Sequence, residues 1–119
     1  KGIYPSFRAN RENELFKLHK KFDIIIKISS SGLLDYLKDN YLPSSIILFG
    51  SASRGEDIEN SDIDIFLECK EKKLAVEKYE KLLKRKISLF FKEDFNKLNN
   101  ELKNNILNGV ILKGYIKVF

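Results

Sequence analysis

The chain has 119 residues, 43% hydrophobic and 33% charged, with a formal net charge of +5, one cysteine and one histidine. That length gives one packed core and no room for two, and a lone cysteine excludes an internal disulfide. No apolar run approaches the roughly 18 residues of a membrane-spanning helix and no leader layout is visible, so a cytoplasmic protein without membrane contact is expected. The positive charge favours phosphate-bearing partners, nucleotides or nucleic acid, without separating them. With Lys1-Gly2 at its start and no methionine, the chain reads as a fragment of a longer product.

Residues 1–9 are expected to be extended, because Pro5 opposes an early helix. From Asn10, a good N-cap residue, Leu15, Leu18, Phe22, Ile25 and Ile26 recur at helical spacing. The β-branched run Ile24-Ile25-Ile26 leaves a strand open at the end of that helix. His19 sits among lysines and reads as a surface side chain rather than a base or ligand. Ser29-Ser30-Ser31-Gly32 is a break whose serines supply a cap for a second helix. That helix carries the stripe Leu33, Leu34, Leu37 and Tyr41 and stops before Pro43.

Ile46-Ile47-Leu48-Phe49, bounded by Pro43-Ser44 and Gly50, reads as a buried strand. Gly50 lets the backbone approach a ligand closely, and Ser51 places a hydroxyl beside freshly exposed N–H groups. A polar excursion from Arg54 to Asn60 follows, in which Arg54 is within reach of a phosphate and Glu56, Asp57 and Glu59 read as solvated acids. In the next strand, Ile63 to Leu67, alternation puts Asp62 and Asp64 on one face and Ile63, Ile65 and Leu67 on the other. Two such carboxylates repel each other, an unfavourable arrangement unless a cation sits between them. Cys69 closes the strand as a small buried side chain.

A third helix is expected over 71–85, with Ala75, Tyr79, Leu82 and Leu83 on one face. The cluster Lys84-Arg85-Lys86 suits a solvated helix terminus, with nucleic-acid contact as the alternative. Ile87 to Phe91 reads as a third strand. A helical stretch then starts at Glu93-Asp94, carries Leu98, Leu102, Ile106 and Leu107, and stops at Asn108-Gly109. Val110-Ile111-Leu112 forms a last short strand, and Tyr115 to Val118 either extend it past Gly114 or pass to a neighbouring chain, which leaves a dimer open. Helices and strands alternating around a mixed sheet predict an α/β (α+β) sandwich.

The combination of strand, Gly50-Ser51 turn, Arg54-Gly55 in the loop and Ser61-Asp62-Ile63-Asp64 on a second strand resembles the signature of the DNA-polymerase-β-like nucleotidyltransferase superfamily. The likeness is closest to its minimal nucleotidyltransferase (MNT) domains and covers about residues 30–112. It implies a palm-like fold, a small mixed sheet with helices mainly on one face, as a domain over 30–119 preceded by a connector and helix over 1–29. It further implies transfer of a nucleoside monophosphate from a nucleoside triphosphate to a protein or small-molecule acceptor. Asp62 and Asp64 would be the catalytic carboxylates, holding one Mg²⁺ ion or two. Gly50, Ser51, Arg54 and Ser61 would bind the nucleotide. A HEPN-type protein partner is also implied. The stretch from Tyr4 to Asn13 is similar to the connector of archaeal proteins that join a winged helix-turn-helix to such a domain, which implies DNA contact through an upstream domain.

One position departs from the pattern. Active members place a third carboxylate on the next strand, and the matching stretch here is Ile87-Ser88-Leu89. Ser88 is a poor base and a weak ligand. Glu93 or Asp94 could substitute from the following helix start, and Glu68 shares the alternation of the aspartates but belongs to the far end of the strand. Two readings stay open: a metal-dependent enzyme, or a nucleotide-binding regulatory module whose catalysis is weakened at Ser88.

Overall fold

The four apolar runs pair into one mixed sheet. In the computed structural model, which describes residues 3–57 and 61–119 with side chains from Asn10 onward, the strands are β1 (Ser45–Phe49), β2 (Ile63–Leu67), β3 (Ile87–Phe91) and β4 (Val110–Gly114). Their order is β3-β2-β1-β4. β1 runs antiparallel to both neighbours, and β2 and β3 are parallel. A parallel pair needs a crossover, and α3 (Glu77–Leu83) lies within it. α1 (Ile3–Ser30) and α2 (Leu33–Tyr41) precede the sheet, and α4 (Asn100–Leu107) lies between β3 and β4. This is the α+β architecture read from the sequence. Among the described residues no helix is long and apolar enough to cross a membrane.

The sheet is covered unequally on its two faces. Ile46 and Leu48 of β1, Ile63, Ile65 and Leu67 of β2 and Ile87 of β3 pack against Ile24, Ile28, Leu33, Leu37, Tyr41 and Tyr79 from the first three helices. The alternate residues Ile47, Phe49 and Phe66 pack against Phe95 and Ile106, so α4 and the 3-10 turn Phe95–Lys97 cover the other face. Phe66 and Phe95 meet edge to face at 6.3 Å, and Phe49 meets Phe90 at 5.1 Å. Phe66 and Phe95 are fully buried, and each contributes about 1.5–3 kcal/mol.

Several expectations are corrected. The helix starts at Ile3, not at Asn10, so residues 3–9 are helical rather than extended. Pro5 falls in its first turn, where the missing N–H has no acceptor within the helix in any case. Ile24-Ile25-Ile26 is helical throughout. The residues facing the core are Ile24 and Ile28, whereas Leu15, Leu18, Phe22 and Ile26 form an exposed apolar stripe. Gly32 is the N-cap of α2, in the left-handed region, and Ser31 accepts the Leu33 N–H from one residue earlier.

α3 is shorter than expected and begins at Glu77. The preceding segment is drawn onto the core by Leu74 and Val76, and the Tyr36 hydroxyl holds the Ala75 carbonyl. The stretch from Glu93 is likewise interrupted: Asp94 caps only a 3-10 turn, and Asn99 caps α4 by accepting the Leu102 N–H at 2.8 Å. β4 reaches Gly114, after which Ile116 turns onto the α4 side of the sheet.

Candidate active site

β1 ends at Phe49, and the chain must turn away from the sheet at Gly50. Gly50 adopts φ 75°, ψ −162°, a conformation essentially reserved for glycine. A 3-10 turn, Ser51–Arg54, follows at once and is closed by the Ser53 hydroxyl donating to the Gly50 carbonyl at 2.7 Å. Asp64 is the cross-strand partner of Phe49. A Cβ on Gly50 would stand 2.5 Å from Asp64 Oδ2, so the glycine leaves the space that the carboxylate fills.

Asp62 and Asp64 share the sheet face of Phe66, opposite the layer of α1, α2 and α3, and lie at the N-terminal end of β2. Asp62 is exposed and Asp64 half-buried. Burial first, and the Asp62 charge second, push the Asp64 carboxyl above its ordinary range, while Arg85 pulls it back. Ser88 stands beside Asp64 in the parallel β2–β3 register and donates its hydroxyl to Asp62 Oδ2 at 3.0 Å. The position that lacks an acid therefore lies within the carboxylate cluster itself.

Among the described residues no other acid takes its place. Asp94 accepts the Asn96 N–H, and the Cys69 thiol is pushed up first by burial and then by the charge of nearby Glu93, so both acids belong to the opposite end of the sheet. Glu68 accepts from the Ser44 and Ser45 hydroxyls and the Phe95 N–H at that same far end. Substitution for the third carboxylate by Glu93 or Asp94 is thereby corrected. Among the described residues no group of three or more His, Cys, Asp or Glu side chains converges on a metal position. The Asp62–Asp64 pair nevertheless fits a hard divalent cation: its donors are anionic oxygens that repel each other, and Mg²⁺ takes one or two carboxylates and fills its shell with water and phosphate oxygens.

The remaining site residues are placed less simply. Ser51 opens the 3-10 turn, half-buried beside Gly50. Arg54, at the end of that turn, is engaged with Glu56 at 2.8 Å on the surface. The Ser61 hydroxyl accepts from Arg85 Nη2 at 3.1 Å, and the Ser61 carbonyl accepts from Arg85 Nε at 2.9 Å.

Asp57 corrects the reading of the loop acids as solvated. Its side chain is 8% exposed and pairs with Arg85 at 2.5 Å and with Lys20 of α1 at 3.4 Å. Glu56 is exposed and paired with Arg54 and Lys17, and Glu59 lies outside the described residues. Arg85 is the residue that sequence reasoning missed. In sequence it reads with Lys84 and Lys86 as a solvated helix terminus, yet its side chain is only 12% exposed. Nothing local distinguishes it from its lysine neighbours except being arginine, the side chain suited to a buried, forked contact.

Comparison with known proteins agrees with this geometry. The family model described as "Nucleotidyltransferase domain" matches residues 30–113. The chain is 39% identical over 83 residues to the Methanocaldococcus jannaschii protein named "Putative protein adenylyltransferase MJ1379", a match spanning 63% of this chain and 81% of that protein. It is 59% identical over 32 residues to "Putative protein adenylyltransferase MJ1215" of the same organism, spanning 27% of this chain and 37% of that protein. No solved structure matches. The chain therefore belongs to the nucleotidyltransferase domain family, in its minimal, DNA-polymerase-β-like form.

Proposed function

We propose that this nucleotidyltransferase domain takes a Mg²⁺-bound nucleoside triphosphate, ATP first among them, and moves the nucleoside monophosphate to a hydroxyl of a protein acceptor. The observation that carries the reading is the Asp62–Asp64 pair on one sheet face with the Asp64 carboxylate seated against Gly50. Asp62 and Asp64 would hold the metal, which supplies neutralisation of triphosphate charge as pyrophosphate leaves. Ser51 and the first N–H groups of the turn after Gly50 would bind phosphate oxygens, and Arg54, paired with Glu56 on the surface, would join them on releasing it. The names of the two relatives favour adenosine and a protein acceptor, and a HEPN-type partner is the acceptor to try first.

Ser88 supports a second reading, a nucleotide-binding regulatory module. A positioned general base contributes about 10²–10⁴-fold to rate, and a neutral hydroxyl already donating to Asp62 does not supply one. The test is incubation with α-labelled ATP and Mg²⁺, with and without the partner, for the wild type and Ser88→Asp. Label on protein, increased about a hundredfold by Ser88→Asp, supports the enzyme. Bound nucleotide with no label transferred and no pyrophosphate released by either form supports the regulatory module.

A further inference from the structure

Asp57 and Ser61, which lie between the serine turn and the carboxylate pair, are held from outside the family signature. Arg85, in the turn between α3 and β3, directs three contacts at them: Nη1 to Asp57 Oδ2 at 2.5 Å, Nε to the Ser61 carbonyl at 2.9 Å, and Nη2 to the Ser61 hydroxyl at 3.1 Å. A single guanidinium thus joins Asp57, in the loop after the serine turn, to Ser61, the residue directly before Asp62. α1 completes the latch, with Lys20 reaching both the Asp57 carboxylate and the Asp57 carbonyl. Ser61 is directly followed by Asp62, and the Ile63 N–H donates to the Lys86 carbonyl at 2.8 Å, next to Arg85 in sequence. The polypeptide that carries the first carboxylate is thus fixed at both of its neighbours.

We propose that Arg85 is a positioning residue, whose forked grip on Ser61 and Asp57 keeps Asp62 beside Asp64 and so sets the affinity for metal-bound nucleotide. The proposal rests on the reading of the two aspartates given above. A planar guanidinium presents its donors in a fixed fork, so it can fix a carboxylate, a carbonyl and a hydroxyl together. A lysine ammonium is a point charge on a flexible stem and cannot hold that geometry. Arg85 is nearly buried and turned to the loop, so it acts through Asp62 rather than on a phosphate.

Two variants test this. Arg85→Lys keeps the charge opposite Asp57 but loses the fork, and Arg85→Met with Asp57→Asn removes both charges and leaves neither buried alone. In both, the dissociation constant for Mg·ATP by calorimetry is expected to rise about tenfold or more, as when support behind metal ligands is lost. Exchange of the Ile63 amide, followed by NMR, is expected to accelerate. The melting temperature serves to separate positioning from general loosening: the affinity loss should persist in whichever variant melts closest to the wild type. Affinity within twofold of the wild type in that variant overturns the proposal. If the wild type itself binds no Mg·ATP, the functional reading fails instead. The amide exchange then decides the latch alone, with acceleration supporting it and an unchanged rate refuting it.

Discussion

Replacing Gly50 with alanine places a single methyl group where the site has no room for one. Gly50 lies at φ 75°, ψ −162°, and holding a side-chain-bearing residue there costs about 1–3 kcal/mol. The new Cβ would also stand 2.5 Å from Asp64 Oδ2 and 3.4 Å from its Cγ, so the carboxylate must swing aside. A backbone cost of ~2 kcal/mol lowers the melting temperature by roughly 6–12 °C in a domain of this size. Urea unfolding followed by circular dichroism should show a lower midpoint at unchanged slope, since the same surface is exposed. In an Asp64→Ala background the steric part disappears and the backbone part remains, so Gly50→Ala should cost less there but still at least about 1 kcal/mol. A loss below about 0.5 kcal/mol in the wild type, the range of an ordinary surface substitution, refutes the strained-turn geometry. Equal losses in both backgrounds refute the contact with Asp64.

Gly55→Ala should be more damaging. Its Cβ would meet the Lys17 carbonyl of α1 at 2.0 Å, and a helix backbone cannot step aside as a side chain can. A loss of about 2–4 kcal/mol in the same urea assay is expected, and one under about 1 kcal/mol contradicts the packing of α1 on the loop. Burial and the Asp62 charge raise the Asp64 carboxyl above 3.8, so the folded protein holds that proton more readily than the unfolded chain. Between the ordinary and the raised value stability therefore falls as pH rises. Asp64→Asn should remove that slope and leave the metal-free protein more stable at neutral pH, and a variant with the slope intact would contradict the assignment. Asn99→Ala removes the cap on α4 and should cost about 1 kcal/mol, with no loss if the Leu102 N–H finds another acceptor.

The strands were legible because their signal is local. Ile46 to Phe49, Ile63 to Leu67 and Ile87 to Phe91 are short apolar runs with turn residues at their ends, and the alternation that buries Ile63 and Ile65 also turns Asp62 and Asp64 to the opposite face. The juxtaposition of Gly50 with Asp64 followed from strand pairing, which a strand-turn-strand pattern anticipates. Helix limits were less legible. Pro5 is compatible with a first turn as well as with extended chain, and charged 71–76 reads as helix until Leu74 and Val76 are drawn onto the core. The stripe Leu15, Leu18, Phe22 and Ile26 has the spacing of a core face but is not the face that meets the sheet. The Lys20–Asp57–Arg85 latch was invisible, because its members are distant in sequence and meet only once α1 and the α3–β3 turn have converged on the loop. A buried acid and a solvated one look alike until the partner is placed.

The central claim is that Asp62 and Asp64 together hold the metal that brings the nucleotide to the Gly50 turn. Calorimetric titration with ATP, in Mg²⁺ and in its absence, tests this on the wild type, Asp62→Asn and Asp64→Asn. Binding in the wild type that requires Mg²⁺, and that either substitution abolishes while the unfolding midpoint is kept or raised, is the expected result. Equal affinity in all three proteins, or binding indifferent to Mg²⁺, would contradict it.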